Sequence, residues 1–181
     1  MKWQTKPTWT DKLLQATAFW VGYKSQLYHY PLTEGAIVGE AAALLSNGLD
    51  KGYRLECEIM YKELNAPVLG QARADLAIKQ GDHLDTIIEV KRATASRKKI
   101  DEDFKRLATV HRSNPSSRCF LLLVSQGLRP VNYVTDEGKA VTGVINTKDY
   151  TAKVRRACKA ASSFRGTESA HYSCLIEVVS R

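Results

Sequence analysis

The feature that most restricts how this chain can fold is the stretch from Ala72 to Lys91, ARADLAIKQGDHLDTIIEVK. Two short alternating runs there flank a turn-forming cluster, Gln80-Gly81-Asp82-His83. Such a pattern predicts a β-hairpin. Strand side chains alternate between faces, so Leu76 and Ile78 share one face, with Asp75, Ala77 and Lys79 on the other. In the second run Ile88 and Val90 share the apolar face, with Ile87, Glu89 and Lys91 opposite. A loop of about four or five residues sets Asp75 opposite Ile88 or Glu89. Either register brings the two carboxylates close together on neighbouring strands.

Like charges at that spacing destabilise a sheet by up to about 1 kcal/mol unless a cation lies between them. A hard divalent cation with carboxylate and water ligands meets that need, Mg²⁺ being the usual one. Lys91 follows Glu89 by two residues and projects from the same face. An Asp, a Glu and a Lys converging at one end of a hairpin can hold a metal, orient a water and stabilise charge on a phosphate.

As they stand, Asp75 followed by Glu89-Val90-Lys91 resembles the bipartite motif of the PD-(D/E)XK nuclease superfamily, with Ala74 in place of the proline of the motif's name. The resemblance covers roughly residues 34–126. It implies an α/β fold with a restriction-endonuclease-like core, a central mixed β-sheet flanked by helices. It implies that Asp75 and Glu89 ligate Mg²⁺ or Mn²⁺ together with the backbone carbonyl of Val90. Lys91 would then orient the attacking water and stabilise the transition state, making Asp75, Glu89 and Lys91 the catalytic residues. The implied activity is hydrolysis of phosphodiester bonds in double-stranded DNA, in restriction, repair, recombination or mobile-element work, and the resemblance admits a homodimer. An RNA-cleaving enzyme on the same core, such as a tRNA-cleaving toxin domain, is the second reading. A nucleic-acid-binding module that keeps the fold without turnover is the third, and the intact triad argues against it.

At 181 residues the chain is read as one domain, with apolar and charged fractions of 44% and 25% that suit an ordinary globular protein. The net charge of +8 favours a polyanionic partner. No run is long enough to span a bilayer, and the start, MKWQTKPTWT, lacks the apolar segment of a signal peptide. Cys57, Cys119, Cys158 and Cys174 form no C-x-x-C pair, and His29, His83, His111 and His171 share no metal-ligand spacing. Reduced core cysteines and a cytoplasmic location are the expectation.

Residues 1–33 form a helical, aromatic-rich N-terminal extension, with Thr10 as N-cap of a helix over 11–26 whose stripe is Leu13, Thr17, Trp20 and Val21. Its aromatics could stack on bases, but at helical spacing they are read as core. A second helix over 34–47 buries Ile37, Ala41, Leu44 and Leu45, and Glu40 falls within that stripe. A carboxylate there is costly unless paired or metal-bound. By the resemblance Glu40 completes the metal site. Glu34 is an alternative to Glu40 but is better read as a first-turn acid favoured by the helix dipole, and Glu56 and Glu58, on a strand over 53–61, are further alternatives that read as lying on a solvated face. Past a loop at 65–70 and the hairpin come a basic run, RATASRKK, a helix over 98–112 and a buried strand over 119–124. Residues 127–181 are read as a variable hairpin, a basic helix over 151–162 and a final strand over 173–179. Arg92, Arg97, Lys98, Lys99, Arg155 and Arg156 are the expected nucleic-acid-binding residues.

Overall fold

A computed structural model describes the chain apart from residues 1, 2, 4, 29, 67, 68, 165 and 166, and apart from the side chains of 162–164 and 167–169. His29, Pro67, Val68 and Arg165 therefore lie outside the described residues. The elements in chain order are α1 (Thr10–Leu27), α2 (Glu34–Ser46), β1 (Tyr53–Met60), a 3₁₀ turn (Tyr61–Leu64), β2 (Arg73–Gln80), β3 (His83–Arg92), α3 (Arg97–Ser113), β4 (Arg118–Ser125), β5 (Val144–Asn146), β6 (Tyr150–Phe164) and β7 (Thr167–Ser180). The seven strands make one mixed sheet in the order β1-β2-β3-β4-β7-β6-β5. β3 and β4 are parallel, joined by the α3 crossover, and the other neighbours are antiparallel.

The interior strands of the sheet are buried on both faces, and β4 shows why. Its unbroken apolar run sends Cys119, Leu121 and Leu123 to one layer and Phe120, Leu122 and Val124 to the other. α3 covers the first layer through Ile100, Phe104 and Leu107. α1 and α2 cover the second through Leu13, Leu14, Val21, Ile37 and Leu45. A strand buried on both sides reads as continuous apolar sequence. α2 starts on Thr33, whose hydroxyl accepts the Ala36 N–H at 3.2 Å, and α3 on Ser96, which accepts from Lys99. Among the described residues no helix is long and apolar enough to cross a membrane.

Three expectations are corrected here. Residues 151–162 are not a helix: they belong to β6, paired along its length with β7. Arg155 is left out of that pairing, a β-bulge that shifts the inward phase from Val154 to Ala157. Three-residue spacing between buried positions is what a helix would show, and sheet pairing overrides the helix propensity of the Ala, Lys and Arg around it. Residues 1–33 are not an extension, because α1 lies across β6, β7 and β4 and adds Leu13, Leu14 and Val21 to one layer, with Trp9 meeting Phe120 edge-on at 6.1 Å. Thr10 is the first residue of α1 rather than its cap, and no side chain among the described residues caps the helix.

Candidate active site

The hairpin closes on a two-residue turn, Gly81-Asp82, shorter than the four or five residues expected, with Gly81 in the left-handed region at φ 59°. Gln80 pairs with His83 and Lys79 with Leu84, after which Asp85 drops out of the ladder and Ile78 pairs with Thr86. This bulge decides the register. Ala77 then faces Ile87, Leu76 faces Ile88, and the next step sets Asp75 level with Glu89. Were Asp85 in the ladder, Asp75 would stand opposite Ile88, whose side chain belongs to the other layer.

The ladder stops at Leu76 and Ile88, and the Asp75 carboxylate accepts the Val90 N–H at 2.7 Å. Glu89, only 3% exposed, accepts the phenolic hydrogen of Tyr61 and lies 4.0 Å from the Arg106 guanidinium. Burial first, and then the Asp75 carboxylate beside it, push the Glu89 carboxyl up to about 8. Burial and the same Glu89 drive the Tyr61 hydroxyl well above the usual phenol range. Lys91 comes off the same strand two residues on. Its ammonium is held between Glu34 at 2.8 Å and Asp103 at 3.3 Å, and Asp103 is also paired with Arg106.

Asp75, Glu89 and Lys91 are thus brought together as expected on the α3 side of the sheet. Glu40 is not: it sits half-exposed on α2 and makes no hydrogen bond or ion pair among the described residues. Its place beside the triad is taken by Glu34, one turn and a half earlier, which reaches Lys91 from the start of α2. Glu56 pairs with Arg54 and Lys79. Glu58 stands level with Asp75 on β1, its backbone in the left-handed region at φ 54°, but its side chain is exposed. Among the described residues no group of three or more Asp, Glu, His or Cys is gathered to hold a metal. The carboxyl pair stands without a third.

Tyr61, Asp103 and Arg106 are members of the cluster that the motif does not name. Asp103 had a signal in the sequence, for it lies in the Ile100–Phe104–Leu107 stripe of α3 and is 1% exposed. Tyr61 and Arg106 carried none.

The expected nucleic-acid contacts divide. Arg97, Lys98 and Lys99 are exposed on the first turn of α3. Arg97 and Lys98 line a groove of about 870 Å³ with Arg129, Asn132, Tyr133 and Tyr150. Arg92 is half-buried and donates to the Leu32 carbonyl at 3.3 Å. Arg155 is overturned as a surface contact: its guanidinium is bound to Glu177 on β7 and lies over the Trp3 ring, 5.7 Å from its centroid. Arg156 is exposed, though tied to Asp11 at 3.0 Å.

Fold and site together define an α/β domain with a carboxyl pair, Glu89 buried and Asp75 half-buried, and a lysine at one end of its central hairpin. Comparison with protein-family models, curated proteins and solved structures returned no match.

Proposed function

We propose that this chain is a metal-dependent endonuclease of the PD-(D/E)XK type acting on DNA, its hairpin, α3 and β4 forming a restriction-endonuclease-like core. The observation that carries the reading is the Asp75–Glu89 pair with Lys91 on the same face of β3. Glu34, Asp75 and Asp103 stand around two cations, Lys91 and Arg106, and once Glu89 gives up its proton the cluster is further short of positive charge. A divalent ion on Asp75 and Glu89 would offset that excess. Two carboxylates and the Val90 carbonyl suit Mg²⁺ or Mn²⁺, which keep several waters. Such an ion supplies, when bound, a lowered pKa for its water and charge neutralisation at the phosphate. The chain's own part is orientation. Lys91, fixed by Glu34 and Asp103, offers a localised positive charge where the phosphate would develop negative charge, and Arg97 and Lys98 extend a basic groove for the strand.

One observation favours the non-catalytic module as second reading. Glu89 is covered by Tyr61 and Arg106, and Asp103 is engaged by both cations, as in a structural ion network. The deciding experiment incubates the protein with plasmid DNA, single-stranded DNA and tRNA, in Mg²⁺, in Mn²⁺ and in EDTA. Metal-dependent cleavage of DNA supports the proposal. Cleavage of tRNA alone moves the activity to RNA, and binding without cleavage of any substrate leaves the module.

A further inference from the structure

The helix α1 carries a second apolar strip on its outer side. Phe19 is 63% and Tyr23 57% exposed, and Leu27 continues the strip. The chain beyond the helix adds Tyr28 and Tyr30, with ring centroids 5.4 Å apart. Beside these two rings lies a cavity of about 450 Å³, floored by Val21, Leu32, Ile37 and Val124. That size falls in the range of small-molecule sites, about 300–1,000 Å³.

Its polar lining is sparse and placed. Arg92 donates through Nη1 to the Leu32 carbonyl at 3.3 Å, and Gln126 accepts the Leu32 N–H at 3.0 Å through its side-chain carbonyl. Both side chains are thereby anchored. The other guanidinium N–H groups of Arg92 and the Gln126 NH₂ make no hydrogen bond among the described residues, so the cleft offers donors above an apolar floor. Lys24 sets a positive charge 5.9 Å and 5.7 Å from the Tyr23 and Tyr28 ring centroids. A flat, acceptor-rich ring attached to an anionic chain fits this chemistry.

The cleft adjoins the triad. Arg92 follows Lys91 on β3 and its side chain leaves the strand on the opposite face. Glu34 spans the two, one oxygen on the Lys91 ammonium and the other 3.4 Å from the Arg92 amide nitrogen. We propose that the Tyr28–Tyr30 cleft receives an unstacked nucleobase from a strand whose phosphate lies at Lys91, an inference that rests on the nuclease reading above. Bases stack on tyrosine rings whatever their sequence, while Arg92 and Gln126 donate to the base's ring and carbonyl acceptors.

The test uses two DNA duplexes, one with a single bulged 2-aminopurine and one with an abasic site in its place. Binding is measured by anisotropy with Ca²⁺ replacing Mg²⁺. Wild type should prefer the base-bearing duplex by about tenfold, the size of one base–aromatic stack, and quench 2-aminopurine emission. Tyr28→Ala/Tyr30→Ala should abolish both the preference and the quenching and leave abasic binding unchanged, whereas Tyr28→Phe/Tyr30→Phe should keep them. Equal binding of the two duplexes by a wild-type protein that cleaves DNA overturns the cleft alone. Failure to bind or cleave any nucleic acid overturns the nuclease reading and the cleft with it. An alanine pair that keeps the preference, yet dissociates a dimer seen by sedimentation, overturns the inference in favour of a second copy on this surface.

Discussion

The Lys91 ammonium stands 3.3 Å from a carboxylate oxygen of Asp103, a group that is 1% exposed. Removing the lysine leaves that buried charge to Arg106 alone. Lys91→Met should therefore lower unfolding free energy by about 1–3 kcal/mol, below the 3–5 kcal/mol of a fully broken buried pair, as read by urea denaturation. Asp103→Asn in the same chain should restore most of the loss. If Lys91 is also the catalytic cation, the double variant regains stability yet still cleaves at least a hundredfold more slowly than wild type. Recovery of cleavage together with stability would mean that Lys91 acts only as a structural partner.

The raised Glu89 carboxyl makes stability and metal binding depend on pH in opposite senses. In the folded chain it titrates at about 8, against an ordinary 4.5. Between those values the folded chain keeps a proton that the unfolded chain has released. This contribution to stability in EDTA is therefore complete below about 4.5 and lost as pH rises through 8. Mn²⁺ binding, which needs the ionised pair, should release a proton and tighten over the same span. Denaturation in EDTA at pH 5 and pH 8, with calorimetric titration in two buffers of different ionisation enthalpy, reads both. Metal affinity that is flat in pH would place the ion elsewhere.

Arg155 and Lys98 should behave as opposites. Arg155→Ala strands Glu177, whose carboxyl burial already raises, in the ion pair's absence. It should cost about 1–3 kcal/mol of stability and leave DNA affinity within about twofold. Lys98→Glu with Arg97→Glu should leave the melting temperature nearly unchanged while weakening binding and flattening its dependence on salt between about 50 and 200 mM. DNA affinity that depends on Arg155 but not on Lys98 would put the nucleic acid on the wrong side of the molecule for this site.

Substitution of Asp75 tests the hairpin itself. Asp75→Ala removes the acceptor for the Val90 amide at a point where β2 no longer pairs with β3. Cleavage and divalent-ion affinity should fall together, with a stability loss of about 1 kcal/mol for the hydrogen bond. Loss of cleavage with metal affinity intact would separate Asp75 from the metal.

The hairpin, the α3 crossover and the buried β4 were legible because each pattern follows from one rule, alternation or an unbroken apolar run. The register of Asp75 was not. Alternation admits both Ile88 and Glu89 opposite it, and the choice is made by the bulge at Asp85, a residue with no mark in the sequence. The stripe argument that singled out Glu40 applies with more force to Asp103, which is buried while Glu40 is half-exposed. The aromatics of α1 misled because the helix has two apolar strips, Leu13–Thr17–Val21 inward and Phe19–Tyr23–Leu27 outward, and periodicity cannot say which one meets the sheet. In β6 the bulge at Arg155 produced a helix-like spacing in a strand.

The placement of β7 between β4 and β6, with α1 across all three, also fixes the order of events at the ribosome. The strand that must join β4 to the β6–β5 side of the sheet is translated roughly 140 residues after α1 ends. At about 5–20 residues per second, α1 waits on the order of ten seconds with its inner stripe uncovered and its outer aromatics beside it. Until β7 arrives, the β1–β4 half of the sheet has an open edge at β4, an apolar strand that other chains could pair with. This protein is therefore expected to lean on nascent-chain chaperones for its N-terminal third, and slowing translation late in the message should lower its soluble yield more than slowing it early.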